Sequence, residues 1–150
     1  MAINIDPVYS RLGQIQGVDI GDVANTKSNG SGTIGTDMYL AYTADGVFGG
    51  WVSRIRFSPQ SNNAATATAA TVLRTYISTQ NSGATTPNDT WLIQEVAAPA
   101  QTADQTTTAT NFIEVPLNFA LPPSGSILCS SHVANTTHTG WTAVVFGGKY

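Results

Sequence analysis

The sequence predicts an all-β protein: a jelly-roll-like antiparallel β-sandwich of about eight strands, preceded by an extended N-terminal arm. Three observations carry this. Short runs rich in Val, Ile, Thr, Phe, Tyr and Trp alternate with period two from Thr33 onward, Gly, Pro, Asn and Ser punctuate them, and no segment shows an apolar stripe at helical spacing. A chain of 150 residues fits one compact domain. Only 10 % of residues are charged, and Thr, Asn, Ser and Gln supply the remaining polarity.

Residues 1–32 alternate little and end in Lys27-Ser28-Asn29-Gly30-Ser31-Gly32, a composition that favours coil, so they are read as the arm and residues 33–150 as the sandwich. Within the arm, Ile3, Ile5, Val8 and Tyr9 are the residues expected to dock on a partner or add a strand to it. The first strand runs Thr33 to Thr43, with Asp45-Gly46 after it as a hairpin turn. Val47 to Ser58 follows, with Trp51, Ser53, Ile55 and Phe57 on a dry face and Val52, Arg54 and Arg56 on a wet one. Asn62 to Ala70 alternates Ala and Thr without a stripe and reads as a loop. Thr71 to Thr79 sets Leu73, Thr75 and Ile77 against Val72, Arg74 and Tyr76.

Thr90 to Ala97 is the next strand, and Thr110 to Phe119 has Ile113, Val115, Leu117 and Phe119 in strict alternation. Leu121-Pro122-Pro123-Ser124-Gly125 then forces a turn, because proline supplies no ladder donor and glycine tolerates positive φ. Ser126 to Val133 and Gly140 to Gly147 complete the set. The Cys…Trp…Cys spacing of immunoglobulin domains is absent, and the strand number suits two four-stranded sheets, which favours the jelly roll.

Composition also restricts function. Six Lys plus Arg against nine Asp plus Glu give a net charge of −3, with no basic stripe for phosphates, so a nucleic-acid binder is not expected. No apolar run approaches the ~20 residues of a membrane span, and Met1 to Asp6 has no leader pattern, so synthesis and release inside its cell are expected. Cys129 and His132 are near in sequence, but alternation puts Cys129 with Ile127 and His132 with Leu128 and Ser130, which separates nucleophile from base. His132 and His138 alone are too few for a zinc site. Glu95 and Glu114 lie on strands, but nothing in the sequence pairs them across a cleft. Neither an enzyme nor a cofactor is expected.

Binding residues are easier to name. Arg54, Arg56 and Arg74 are three of the six cationic residues, suited either to cross-strand pairing with Glu95 or Glu114 or to a partner-contact face. Trp51 belongs with Ile55 and Phe57 in the core; Trp91 and Trp141 each begin a strand, which leaves both core or interface packing and stacking on a sugar ring open to them.

The C-terminal half, Phe119-Ala120-Leu121-Pro122-Pro123-Ser124-Gly125-Ser126-Ile127-Leu128, then Ser130-Ser131-His132, Gly140-Trp141 and Val145-Phe146-Gly147-Gly148-Lys149-Tyr150, resembles small virion structural proteins of tailed bacteriophages. Gly49 to Phe57 and Leu73 to Ser78 look like the matching front half, so the resemblance spans residues 33–150. It implies a capsid decoration or cement protein: a homotrimer in the virion, bound to the major capsid protein or other virion proteins. The alternative it implies is a tail- or fibre-associated receptor- or glycan-binding module using Trp91 and Trp141.

Overall fold

The computed structural model describes residues 12–61, 66–103, 112–135 and 139–150. Eight long strands form two antiparallel sheets. In chain order the strands are β1 (Leu12–Ile20), β2 (Gly32–Thr33), β3 (Tyr39–Thr43), β4 (Gly50–Ser61), β5 (Thr66–Ala67), β6 (Thr71–Ser78), β7 (Ala84–Thr85), β8 (Thr90–Ala98), β9 (Thr102–Ala103), β10 (Ile113–Leu121), β11 (Ser126–Ser131) and β12 (Thr139–Lys149). One sheet has the order β1-β12-β4-β10, the other β3-β11-β6-β8, and two-residue ladders β2-β7 and β5-β9 lie beside them. Successive long strands alternate between the two sheets except at β6-β8, a double Greek key, so the sandwich is a jelly roll as expected.

Between the sheets lies one large core. Val52, Ile55, Phe57, Val115 and Leu121 come from the first sheet together with Trp141, Ala143 and Val145, and meet Tyr42, Leu73, Ile127 and Cys129 of the second. The second sheet is also covered on its other side. The connection from β1 to β3 passes over it, and Met38 packs with Tyr76 and Leu128, flanked by Ile34, Leu40 and Leu92. All six residues of β11 are therefore buried. A strand covered on both faces reads as a continuous apolar or small-residue run, which explains Ile127-Leu128-Cys129.

Four sequence expectations change. Leu12–Ile20 of the supposed arm is an edge strand, in register with β12 from Leu12 opposite Lys149 to Ile20 opposite Trp141. Its inward positions Gln14 and Gln16 hide the alternation, since they bond through their carboxamides rather than by apolar packing: Gln14 accepts from Tyr42 at 3.1 Å. Residues Ile3, Ile5, Val8 and Tyr9 lie outside the described residues. Asp45-Gly46 closes no hairpin, because β3 pairs with β11 whereas β4 pairs with β10 and β12. The stretch from Thr33 to Thr43 is broken into β2 and β3 by a turn in which the Thr33 carbonyl accepts from the amides of Thr36, Asp37 and Met38.

The last change is a phase reversal in β4. Arg54 opposes Phe146 and Val52 opposes Gly147, so Ser53 has no partner on β12; on the other side Leu117 and Asn118 both face Ser53. This bulge turns Val52 inward and Trp51 outward, with Trp51 37 % exposed. It also brings the Trp51 carbonyl against Gly147, where a β-carbon would sit 2.3 Å from that oxygen. Only glycine fits there.

Candidate interaction surface

The two sheets differ in what lies on their outer faces. The outer face of β3-β11-β6-β8 is sealed by the β1–β3 connection, held by Arg74. Arg74 is 6 % exposed; its Nε donates to Glu95 Oε1 at 2.6 Å and its Nη1 to the Asn25 carbonyl at 2.9 Å. Its Nη2 lies 3.3 Å from His132 Nδ1, which must be the acceptor because guanidinium has none. Asn25, itself buried, donates its backbone N–H to the Ser131 carbonyl at 2.9 Å, and Tyr76 donates to the Lys27 carbonyl at 3.2 Å. Burial pushes the Tyr76 phenol above its ordinary value, with the Ser130 hydroxyl pulling the other way. Arg74 thus cannot belong to a partner-contact face. The wet side expected for Val72, Arg74 and Tyr76 is a second interior.

The outer face of β1-β12-β4-β10 is uncovered by the described residues. Register sets Glu114, Arg56 and Val144 in one row and Pro116, Arg54 and Phe146 in the next. Glu114 Oε1 accepts from Arg56 Nε at 2.8 Å and lies 3.5 Å from Arg54 Nε, so one carboxylate serves two guanidiniums. Arg54 Nε makes no hydrogen bond within bonding geometry among the described residues. The guanidiniums also stack on aromatic faces. Arg54 stands 4.4 Å from the Phe146 ring centroid and Arg56 4.5 Å from that of Phe112. Around them Ile15 is 67 % and Phe112 59 % exposed, and Trp51 lies on the same side.

Of the three arginines singled out in the sequence, Arg54 and Arg56 therefore share this face, and both cross-strand pairings with Glu114 and Glu95 occur. The exposed pairs with Glu114 contribute only about 0.2–1 kcal/mol each, so their value here is to hold planar cations in place, whereas Arg74 is buried. Sequence reasoning missed Ile15, Phe112 and Phe146. Ile15 lay in the segment read as arm, and the other two are joined to the arginines only by register across three strands.

The other expected sites separate. Trp141 is fully buried in the core and offers nothing to a sugar ring, whereas Trp91 is 48 % exposed on the edge strand β8. Cys129 is fully buried and its thiol pKa is strongly raised by desolvation, on the opposite side of β11 from His132 as the alternation predicts. His138 lies outside the described residues. Among the described residues no group of three or more His, Cys, Asp or Glu is placed to hold a metal ion.

The fold and this face define a jelly-roll sandwich with one arginine- and aromatic-bearing sheet surface that none of the described residues covers. No known protein family and no curated protein matches the chain. A solved structure of infectious bursal disease virus Gx strain is similar at 15 % identity with a TM-score of 0.33, over 98 % of this chain and 37 % of that one. The chain thus spans little more than a third of the length of the virus chain it resembles.

Proposed function

We propose that the protein is a virion structural protein that binds other virion proteins, in the role of a capsid decoration or cement protein acting without catalysis. The observation that supports it is the asymmetry of the sandwich: the β1–β3 connection seals one sheet, while none of the described residues covers the other sheet's outer face, where Arg54, Arg56, Phe112 and Phe146 stack. Aromatic residues and arginine are the side chains enriched in protein interfaces, while lysine is depleted. Two guanidiniums on one carboxylate leave a local positive excess on a chain of net charge −3. A partner presenting carboxylates beside apolar groups is complementary to this face.

Residues 1–11, which carry Ile3, Ile5, Val8 and Tyr9, are the second attachment element in this reading, reaching a neighbouring subunit of the shell. A ligand that binds only the assembled shell stabilises it by mass action, and repeated weak contacts add through avidity. The test is cosedimentation of purified protein with phage heads that lack it. Arg54→Glu combined with Arg56→Glu is expected to abolish sedimentation with the heads, and deletion of residues 1–11 to weaken it. Undiminished binding by the double variant refutes the face. A glycan-binding role rests on the exposed Trp91 alone, and sugar binding lost in Trp91→Ala is its signature.

A further inference from the structure

The strap over the second sheet contains an Asn-Gly step, Asn29-Gly30, and Asn29 is the one asparagine of the chain that precedes a glycine. With no β-carbon on the following residue, its backbone nitrogen is unshielded and can reach the side-chain carbonyl carbon before it. The structure brings the reacting groups together. Asn29 is exposed, and its Oδ1 accepts the Ser31 backbone N–H at 3.1 Å, which folds the carboxamide over the intervening Gly30 peptide. The same N–H points at the oxygen that gains negative charge when Cγ is attacked. Among the described residues neither the Gly30 N–H nor Asn29 Nδ2 donates to an acceptor, so nucleophile and leaving group are both uncommitted. Asn25 in the same strap is the contrast: it is buried, precedes Thr26, and its Nδ2 donates to the Ser31 carbonyl at 3.1 Å.

We propose that Asn29 is a site of spontaneous deamidation that rewrites the backbone of the strap. A base removes the Gly30 amide proton, the Gly30 nitrogen bonds to Asn29 Cγ, and the Cγ–Nδ2 bond breaks, Nδ2 leaving as ammonia with a proton from water. The product is a cyclic imide spanning Asn29 and Gly30. Water then opens it. Attack at Cγ leaves aspartate, and attack at the Asn29 backbone carbonyl carbon leaves isoaspartate, in which the chain runs through Cβ and Cγ. Nothing is oxidised or reduced, and the net exchange is one ammonia for one water. The reaction uses only the chain and water, so it stands apart from the role proposed above.

Isoaspartate adds a methylene to the main chain where there is no slack. Gly30 is buried at φ +83°, and a β-carbon on it would meet the Thr90 carbonyl oxygen at the start of β8. Beside it the Ser31 carbonyl accepts from Asn25 Nδ2, and the Asn25 carbonyl accepts from Arg74 Nη1, the bond that fastens the strap. A longer backbone between Asn29 and Gly30 displaces Ser31, and the displacement reaches Arg74 through Asn25. Modification thus loosens the cover over Met38, Tyr76 and Leu128.

The experiment incubates the purified full chain in mildly alkaline buffer, maps its peptides by mass, and probes them for isoaspartate with an isoaspartyl methyltransferase. The mass change of ammonia replaced by water is expected in the peptide carrying Asn29, at least as fast as in a synthetic peptide of residues 27–33 in the same buffer. Asn29→Ser, whose hydroxyl keeps an acceptor for the Ser31 N–H, is expected to show none there. In the modified protein the Asn25 amide is expected to exchange about tenfold faster, with the β4 core unchanged. A folded chain that stays unmodified while the synthetic peptide reacts, equal modification at other asparagines, or a modified chain whose Asn25 amide is as protected as before overturns the proposal.

Discussion

The side chain of Gln16 in β1 clasps the backbone of Thr43 in β3: its Nε2 donates to the Thr43 carbonyl at 3.2 Å and its Oε1 accepts the Thr43 amide at 2.8 Å. A carboxamide has the same donor and acceptor as a peptide, so it completes the unpaired edge of one sheet from a strand of the other. Each such bond contributes about 0.5–1.5 kcal/mol net, and leaving a part-buried peptide unpaired costs more than the bond was worth. Gln16→Leu is expected to lower stability by about 1–3 kcal/mol, read as a lower denaturant midpoint at unchanged slope. Gln16→Glu keeps the acceptor and loses the donor, and is expected to fall between the two.

Arg74 is the fastening of the strap over the second sheet. Arg74→Met removes the donor to Asn25 and leaves Glu95 without its cation; because the Glu95 side chain is 44 % exposed, solvent recovers part of that loss. The expected cost is about 2–3 kcal/mol, below the 3–5 typical of a fully buried broken pair. Amide exchange distinguishes a local from a global effect. The Asn25 amide is expected to lose protection before those of the β4 core do.

Asp45 sets a pH limit on the β3–β4 loop tip, where Val47 and Phe48 are exposed. Its carboxyl lies below the ordinary 3.8 because the Val47 and Phe48 amides donate to it, with Lys149 adding to the effect. A carboxylate with a depressed folded-state pKa contributes stability that is full above its unfolded value and disappears as pH falls through the folded one. The thermal midpoint of wild type is therefore expected to exceed that of Asp45→Ala at neutral pH, with the gap closing only below the ordinary carboxylate range. A gap unchanged at the acid limit contradicts this. Asp89 is lowered in the same way by the Thr86 amide, so Asp45 accounts for part of the acid loss and not all of it.

Cys129 is expected to resist thiol reagents in the folded state. It is fully buried, and desolvation pushes its thiol pKa well above the ordinary value, which disfavours the reactive thiolate. Labelling is expected to proceed only through unfolding, at a rate that rises with denaturant as the unfolded population does. Rapid labelling under native conditions would show that β11 opens locally.

Gly147→Ala tests the β4 bulge. The added β-carbon meets the Trp51 carbonyl at 2.3 Å, so the strand must shift, at an expected cost of about 1–3 kcal/mol. Trp51 fluorescence is expected to change with it, since the bulge is what holds that ring on the outer face.

Much of this architecture was legible in the chain because strict alternation survives where one face is dry: Ile113, Val115, Leu117 and Phe119 define β10, and the Pro122-Pro123 turn separates it from β11. Alternation failed where another interaction replaced apolar contact. Gln14 and Gln16 face inward and bond through carboxamides, so β1 looked like coil. Tyr76 and Arg74 face a strap that closes over them from sequence far away, so a second interior looked like a wet surface. Trp51 sits on the far side of a one-residue bulge, and period two carried through Ser53 put it on the wrong face. Of the candidate surface, Arg54 and Arg56 were readable as a same-face pair. Phe112 and Phe146 were not, because β10, β4 and β12 place them there by register alone.

The most direct test of the proposed role is electron cryomicroscopy of assembled particles from the source of this sequence. The account predicts many copies on the outer head lattice, with the Arg54 and Arg56 face against the shell. Absence of the chain from particles, or copies confined to the tail tip, would contradict it.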